Sequence, residues 1–368
     1  MRYLLKNGKM LSSNGERVTV NILTENNKIS KISKGEINIT ANEYDLTGYT
    51  IMPGFINAHV HIFDCYDSFN EEKLKKWLQS GITCLRDEGI LSRCSAKDTV
   101  NFREKLRRNC MYPKITVCGK FISAVNGYGG IEPLEVSTEQ EARDAVKAQV
   151  AEGVDHIKIP LDEGYDSYTQ SLKLLPLNLL EAICDEAHKL GKRVSAHVTR
   201  NDQLEKLLKA GIDEAAHTCF DRIPDETLEF MVKNNIAMTP TLSIYGEITT
   251  NFGAPILDVA MDNTKRFVDM GGVIGLGNDY IEEKPIWSPV GMPIMEIELL
   301  KQAGLTMEQI IEAATLGGAR ILGLDDYGRI SENCIADLIA VKGDPYKLPY
   351  LLSNVQFVMK DGIVVKNI

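Results

Sequence analysis

Two histidines spaced two apart, His59 and His61, close the apolar run Ile51-Met-Pro-Gly-Phe-Ile-Asn-Ala-His-Val-His-Ile62. Side chains at i and i+2 of a strand share a face, so both imidazoles can reach one point. Pro53-Gly54 marks a turn into that strand. Further along, Lys158 lies in Asp155-His-Ile-Lys-Ile, His197 in Arg193-Val-Ser-Ala-His-Val, His217 in Asp213-Glu-Ala-Ala-His and Asp279 in Val273-Ile-Gly-Leu-Gly-Asn-Asp. Each falls at or near the end of a short β-prone run, and four of the six histidines do so. Four imidazoles and a carboxylate suit zinc or another borderline divalent ion. Lysine is unusual company, because an ammonium has no electron pair to donate. Either Lys158 stands outside the site in an ion pair, or its amine is carboxylated by CO2 to a carbamate whose two oxygens bridge two metals.

These residues must be carried by alternating elements. Strand-like runs near residues 52–62, 81–86, 114–119, 155–159, 193–198, 213–217, 237–242 and 273–279 are separated by helical periodicities. The helices are expected near 95–109, 139–152 (capped by Thr138 or Ser137), 177–190, 201–210, 225–234 and 258–270, with 293–303 and 306–322 closing. Alternation argues for a parallel sheet, and eight units over this length argue for an α/β fold of the (β/α)8 TIM-barrel type, with function at the C-terminal ends of its strands. Both chain ends instead read as short strands and turns, with hairpin-type pairs at Asn7-Gly8 and Asn14-Gly15. The expected division is a small β-sandwich domain built from both termini, 1–51 plus 329–368, around a barrel at 52–328.

His59-Val-His61 after Pro53-Gly54-Phe55-Ile56-Asn57, with Lys158, His197, His217 and Asp279 in that order, resembles the amidohydrolase superfamily of metal-dependent hydrolases. Ile330-Ser-Glu-Asn-Cys-Ile-Ala-Asp-Leu-Ile-Ala-Val looks like that family's closing segment. Gly81-Ile-Thr-Cys-Leu-Arg-Asp, Ile157-Lys-Ile, Ala187-His-Lys-Leu-Gly and Pro240-Thr-Leu are most similar to its Xaa-Pro dipeptidase and Xaa-Arg carboxypeptidase branch. The resemblance implies two divalent ions, most simply Zn2+, bridged by a carboxylated Lys158. His59 and His61 would hold the more buried ion with Lys158 and Asp279, and His197 and His217 the second. It also implies hydrolysis of an amide (C–N) bond in a dipeptide, N-acyl amino acid or cyclic amide. A metal-bridging hydroxide would attack, with Asp279 as general base. A lactonase or phosphotriesterase would use the same metal pair. A mononuclear deaminase usually needs a Glu where Arg200 stands in His197-Val-Thr-Arg200, and a non-catalytic scaffold usually lacks ligands that are all present here.

The substrate loops depart from that branch. Its Gly-Gly-His-Gly loop after strand three is here Ile122-Ser-Ala-Val-Asn-Gly-Tyr-Gly-Gly130, so Asn126 or Tyr128 must replace the histidine. Its Ser-Gly-Gly after the lysine is here Pro160-Leu-Asp-Glu-Gly-Tyr, and the Tyr common after the strand-five histidine gives way to Val198-Thr199-Arg200. Arg200 could grip a substrate carboxylate, or simply carry charge at a helix start. Trp287, in a loop after strand eight, could cover the pocket. His156 is expected in the core, His188 on an outer helix, and Arg86-Asp87-Glu88 in a structural ion pair or a brace beneath the site.

A formal net charge of -10 argues against nucleic acid or an anionic membrane as partner. The opening Met1-Arg-Tyr-Leu-Leu-Lys-Asn has no signal-peptide pattern, and no apolar run reaches the length of a membrane helix. Eight cysteines without a C-x-x-C pair fit reduced thiols in a cytoplasmic protein. The expected partner is a small-molecule substrate, and a homo-oligomer stays open.

Overall fold

The computed structural model describes residues 1–12, 15–63, 70–91, 93–164, 172–252, 256–281 and 289–368, with backbone only at 250–252. Trp287 and Cys65 lie outside the described residues.

Seven strands each precede at least one helix: Phe55–His61, Ile82–Asp87, Lys114–Val117, Ile157–Pro160, Val194–His197, Glu214–Ala216 and Ala237–Thr239. The first three pair in parallel, as do the last four. They are near-continuous apolar runs rather than alternating ones, as expected of parallel strands covered on both faces. Every residue of Phe55–His61 and Ile82–Asp87 is buried. The expected helices are present, with Glu71–Gln79 in addition to them and 306–322 interrupted by a π-helical turn at Ala313–Gly317. Asn201–Ala210 ends at left-handed Gly211, and Glu139–Glu152 begins at Thr138, whose hydroxyl accepts Glu141 N–H at 3.2 Å.

Three expectations change. Residues 273–279 make one bridge, Ile274 to Met238, before the two-residue strand Tyr280–Ile281 pairs with Val60 and His61. The segment still links the two runs. Met238 N donates to Val273 O (3.0 Å), Ala58 N to Leu276 O (2.7 Å) and Asp279 N to His59 O (3.0 Å). Its glycines explain the loss of regularity. A Cβ at Gly277 would lie 2.5 Å from Thr239 Cγ2 and 2.7 Å from His59 Cβ, so the backbone here is pressed against its neighbours. At the opposite edges Asp155 N donates to Val117 O at 2.7 Å.

Second, Leu242–Phe252 is a helix the sequence does not announce. Its first amides, Leu242 and Ser243, donate to the Glu296 carboxylate at 2.8 and 2.7 Å. The cap comes from a residue more than fifty positions away, so no local signal exists. Third, Asn7-Gly8 is no hairpin turn. It sits inside Arg2–Leu11, with Asn7 at φ 59° and a register shift between Leu5 and Gly8. The reversal comes later, where Ser12 and Glu16 share a 2.9 Å bond.

The two chain ends meet in one eight-stranded sheet, in which Leu338–Lys342 pairs with Tyr49–Pro53 and Tyr49–Pro53 with Arg2–Leu11. Leu5, Ile22, Ile29, Leu338 and Phe357 form its own apolar cluster. Tyr49–Pro53 runs straight into Phe55–His61, so this sheet delivers the chain to the paired histidines.

Candidate metal centre

The strand Phe55–His61 presents His59 and His61 on one face, and Asp279 arrives opposite them from the irregular segment after Gly277. One ligand atom from each lies within 4.8 Å of the others. Asp279 Oδ1 is 3.2 Å from Nε2 of both histidines. Burial disfavours charge here, yet the contacts with His59 and His61 hold the Asp279 carboxyl well below the usual carboxylate range. Burial, then the Lys158 charge, lower His59 and keep its ring neutral. For His61 burial acts downward too, but Asp279 outweighs it and the pKa rises.

Both ring nitrogens of His59 and Oδ1 of Asp279 are buried without a hydrogen-bond partner. Such orphans are costly in a protein interior. A divalent cation between His59 Nε2 and Asp279 Oδ1 satisfies both of those atoms, so this donor set fits a metal ion. The next layer points the same way. His61 Nδ1 lies 2.8 Å from Gly89 O, so a proton there is donated to the carbonyl, which would leave the Nε2 lone pair to a metal ion. Gly89 cannot be replaced cheaply, because its φ is 132° and a Cβ would lie 2.5 Å from the Phe121 ring.

His197 and His217 form an adjoining half. His217 Nε2 and His197 Nδ1 face each other at 2.9 Å, and the His217 ring lies 4.7 Å from that of His59. Their outer nitrogens are anchored, His217 Nδ1 on Thr241 Oγ1 (2.7 Å) and His197 Nε2 on Asp162 Oδ2 (3.3 Å). Asp162 is itself fixed by Thr199 Oγ1 at 2.5 Å and Gly164 N–H at 2.7 Å. Three residues here adopt left-handed backbone: His217 (φ 80°), Thr241 (φ 50°) and Asp279 (φ 47°). For β-branched Thr241 this is an outlier costing roughly 1–3 kcal/mol. Strain of this kind concentrates where a side chain must be aimed.

Lys158 is 1 % exposed and donates from Nζ to Glu88 Oε2 at 2.5 Å. Glu88 also takes Ser195 Oγ (2.7 Å), His156 Nε2 (2.8 Å) and Arg86 Nε (2.8 Å). Burial opposes its charge, but Arg86 and Lys158 hold its pKa well below normal. Arg86 therefore makes the expected structural ion pair, and His156 is the core histidine the sequence suggests.

Of the expected substrate residues, Tyr128 stacks on His197 with ring centroids 4.4 Å apart and planes at 16°. Asn126 is exposed, with its N–H on Glu135 Oε1 at 2.8 Å. Arg200 is exposed at the N-cap of Asn201–Ala210 and makes no side-chain cap bond. Sequence reasoning missed Asp162, Thr241 and Gly89 as supports. The signal for Asp162 was present, since it stands in the segment after Lys158 where the chain departs from the branch it resembles.

Comparison with known proteins agrees with this layout. The amidohydrolase family model matches residues 50–368. An uncharacterized protein of Mycobacterium tuberculosis (strain ATCC 25618 / H37Rv) is 24 % identical over 337 residues, covering 86 % of this chain and 85 % of its own. A crystal structure of a Xaa-Pro dipeptidase with bound methionine in the active site superposes with TM-score 0.87 at 23 % identity, covering 100 % of both chains. The A. niger ochratoxinase structure gives TM-score 0.83 at 19 % identity, over 100 % of this chain and 96 % of that one. The fold is thus α/β and TIM-barrel-like.

Proposed function

The chain belongs to the amidohydrolase family, and we propose that it is a metal-dependent hydrolase cleaving an amide bond of a small molecule: a dipeptide, an N-acyl amino acid or a cyclic amide. The single observation that carries this is the buried trio His59, His61 and Asp279, in which both His59 ring nitrogens and Asp279 Oδ1 lack hydrogen bonds. Similarity to a Xaa-Pro dipeptidase and an ochratoxinase supports the reaction class.

In this reading His59, His61 and Asp279 hold one divalent ion, most simply Zn2+. His197 and His217 would hold a second, and Lys158, carboxylated by CO2, would serve both. The ions, when bound, supply Lewis acidity toward the scissile carbonyl and lower the pKa of water. Asp279, kept unprotonated by its histidines, takes the proton of the attacking water and hands it to the leaving nitrogen. Tyr128 walls the site beside His197, while Asn126 and Arg200 would meet the substrate from the loops. Arg200 would pair with a substrate carboxylate. The strand runs close into an eight-stranded barrel through 273–281 and the Asp155–Val117 contact. The terminal sheet (1–51 plus 329–368) then forms a small sandwich beside the barrel at 52–328.

Purified protein loaded with zinc, screened against dipeptides, N-acyl amino acids, lactones and cyclic amides, tests the reaction class. Amide turnover is expected, together with about two ions per chain, and Lys158→Ala should abolish turnover and lower the metal content. A protein that binds no metal, or hydrolyses only esters or phosphoesters, overturns the proposal.

A further inference from the structure

We propose that Glu88 is the positioning residue of Lys158, holding Nζ at the metal centre through a hydrogen bond that survives carboxylation. This rests on the bridging role given to Lys158 above. Glu88 is fully buried just beyond the strand Ile82–Asp87. Its Oε2 receives Lys158 Nζ at 2.5 Å and Ser195 Oγ at 2.7 Å, from two adjacent strands. Its Oε1 receives His156 Nε2 and Arg86 Nε, each at 2.8 Å. A carboxylate has about four lone-pair sites, and all are engaged. Among the described residues Glu88 is the one hydrogen-bond partner of Nζ.

The chemistry of the lysine makes this contact directional. When the neutral amine adds carbon dioxide, an N–C bond forms, one N–H proton leaves to solvent and one N–H stays. The nitrogen becomes planar. Glu88 Oε2 can accept the remaining N–H, but as an anion it repels the two carbamate oxygens. Only one orientation is then favourable, with N–H toward Glu88 and the oxygens on the far side of Nζ. A neutral glutamine would lose that discrimination, because its amide can donate to a carbamate oxygen and hold the group reversed. Arg86 keeps Glu88 in place for this task. It also pairs with Glu214, so the Arg86 guanidinium is shared between the two buried carboxylates.

The test uses the full chain with Glu88→Gln and Glu88→Asp, each also made in a Lys158→Met background. Proteins are reloaded with Zn2+ and 13C-bicarbonate. The readouts are bound metal against a chelator, the carbamate 13C resonance, and the melting temperature. Glu88→Gln should lose metal about 10- to 100-fold more readily, as changes behind a ligand usually do, and weaken the carbamate resonance. Glu88→Asp, which keeps the charge and hence the fold, should fall between. In the Lys158→Met background neither change should lower metal retention further. Unchanged retention and resonance in both Glu88 variants overturns the proposal. So does an equal loss with Lys158→Met, which would make Glu88 a general scaffold residue. A parent protein with no carbamate resonance overturns the bridging reading itself, and this proposal with it.

Discussion

Asp162→Asn is the sharpest probe of the second half of the centre. The carboxylate of Asp162 accepts from Thr199 Oγ1 and Gly164 N–H, and its Oδ2 lies 3.3 Å from His197 Nε2. With a carboxylate there, His197 carries its proton on Nε2 and turns the Nδ1 lone pair toward His217. Asparagine has the same shape but can present NH2 to Nε2. The imidazole then accepts at Nε2 and carries its proton on Nδ1, where the second ion should bind. The loss of one charge-assisted hydrogen bond is worth about 1.5–3 kcal/mol. At about 1.4 kcal/mol per decade this corresponds to a roughly 10- to 100-fold weaker second ion. That range matches the usual effect of altering the partner of a ligating histidine. Fold stability should change little, because Asn Oδ1 can still receive Gly164 N–H. The assay is stepwise metal removal by a graded chelator, read as ions per chain, alongside the melting temperature. One ion should leave early and the other at the parent's chelator concentration. If both ions leave as in the parent, while His197→Ala strips one, the tautomer argument is wrong.

Gly277→Ala places a methyl 2.5 Å from Thr239 Cγ2 and 2.7 Å from His59 Cβ. It should cost about 1–3 kcal/mol by overpacking and weaken the first ion as well, measured by melting and metal content. Burial pushes the Glu296 carboxyl up to about 7 from 4.5, with its Ser243 and Leu242 hydrogen bonds opposing. Folding therefore takes up a proton, and the contribution of this group to stability falls as pH rises from about 4.5 to about 7. Glu296→Gln should flatten the melting temperature across that window, and an unchanged pH slope would refute the assignment. Tyr128→Ala removes the ring stacked on His197 and should raise KM roughly tenfold or more with bound metal unchanged, read by steady-state kinetics on whichever amide the screen finds.

Much of the site could be read directly from residue types. Period-two spacing put His59 and His61 together, and the apolar runs placed His197 and His217 at strand ends. The structure brings all four rings into one neighbourhood. Asp279 was legible as a residue type but not as a strand end, because close packing at Gly277 replaces regular pairing there. The helix Leu242–Phe252 was invisible for a related reason, since the carboxylate capping it belongs to Glu296. Asn7-Gly8 shows the converse error. Asn-Gly is a strong turn signal locally, but pairing along both sides of Asn7 absorbs its left-handed residue as an irregularity within one strand. Local signals failed wherever a tertiary partner supplied the missing hydrogen bond or denied the space.

The same logic explains why so many charges lie under the centre. Arg86, Glu88, Lys158 and Glu214 are each at most 3 % exposed. A buried ion pair rarely adds net stability, since desolvation offsets the attraction, whereas removing one partner is strongly destabilising. A layer of this kind is therefore a poor device for holding the fold and a good one for fixing geometry. Each of its hydrogen bonds specifies a direction that apolar packing cannot. Glu88 links the second, fourth and fifth strands of the chain's parallel series, and Glu214 joins Arg86 to Thr239 Oγ1 on the seventh. These strands carry Lys158, His197 and His217 at or near their C-terminal ends. A displacement of a few tenths of an ångström in any of them would break a charged hydrogen bond in the layer below. The polar layer thus ties the ligand-bearing strands to one another, and the strain at His217, Thr241 and Asp279 is sustained because the layer beneath does not yield.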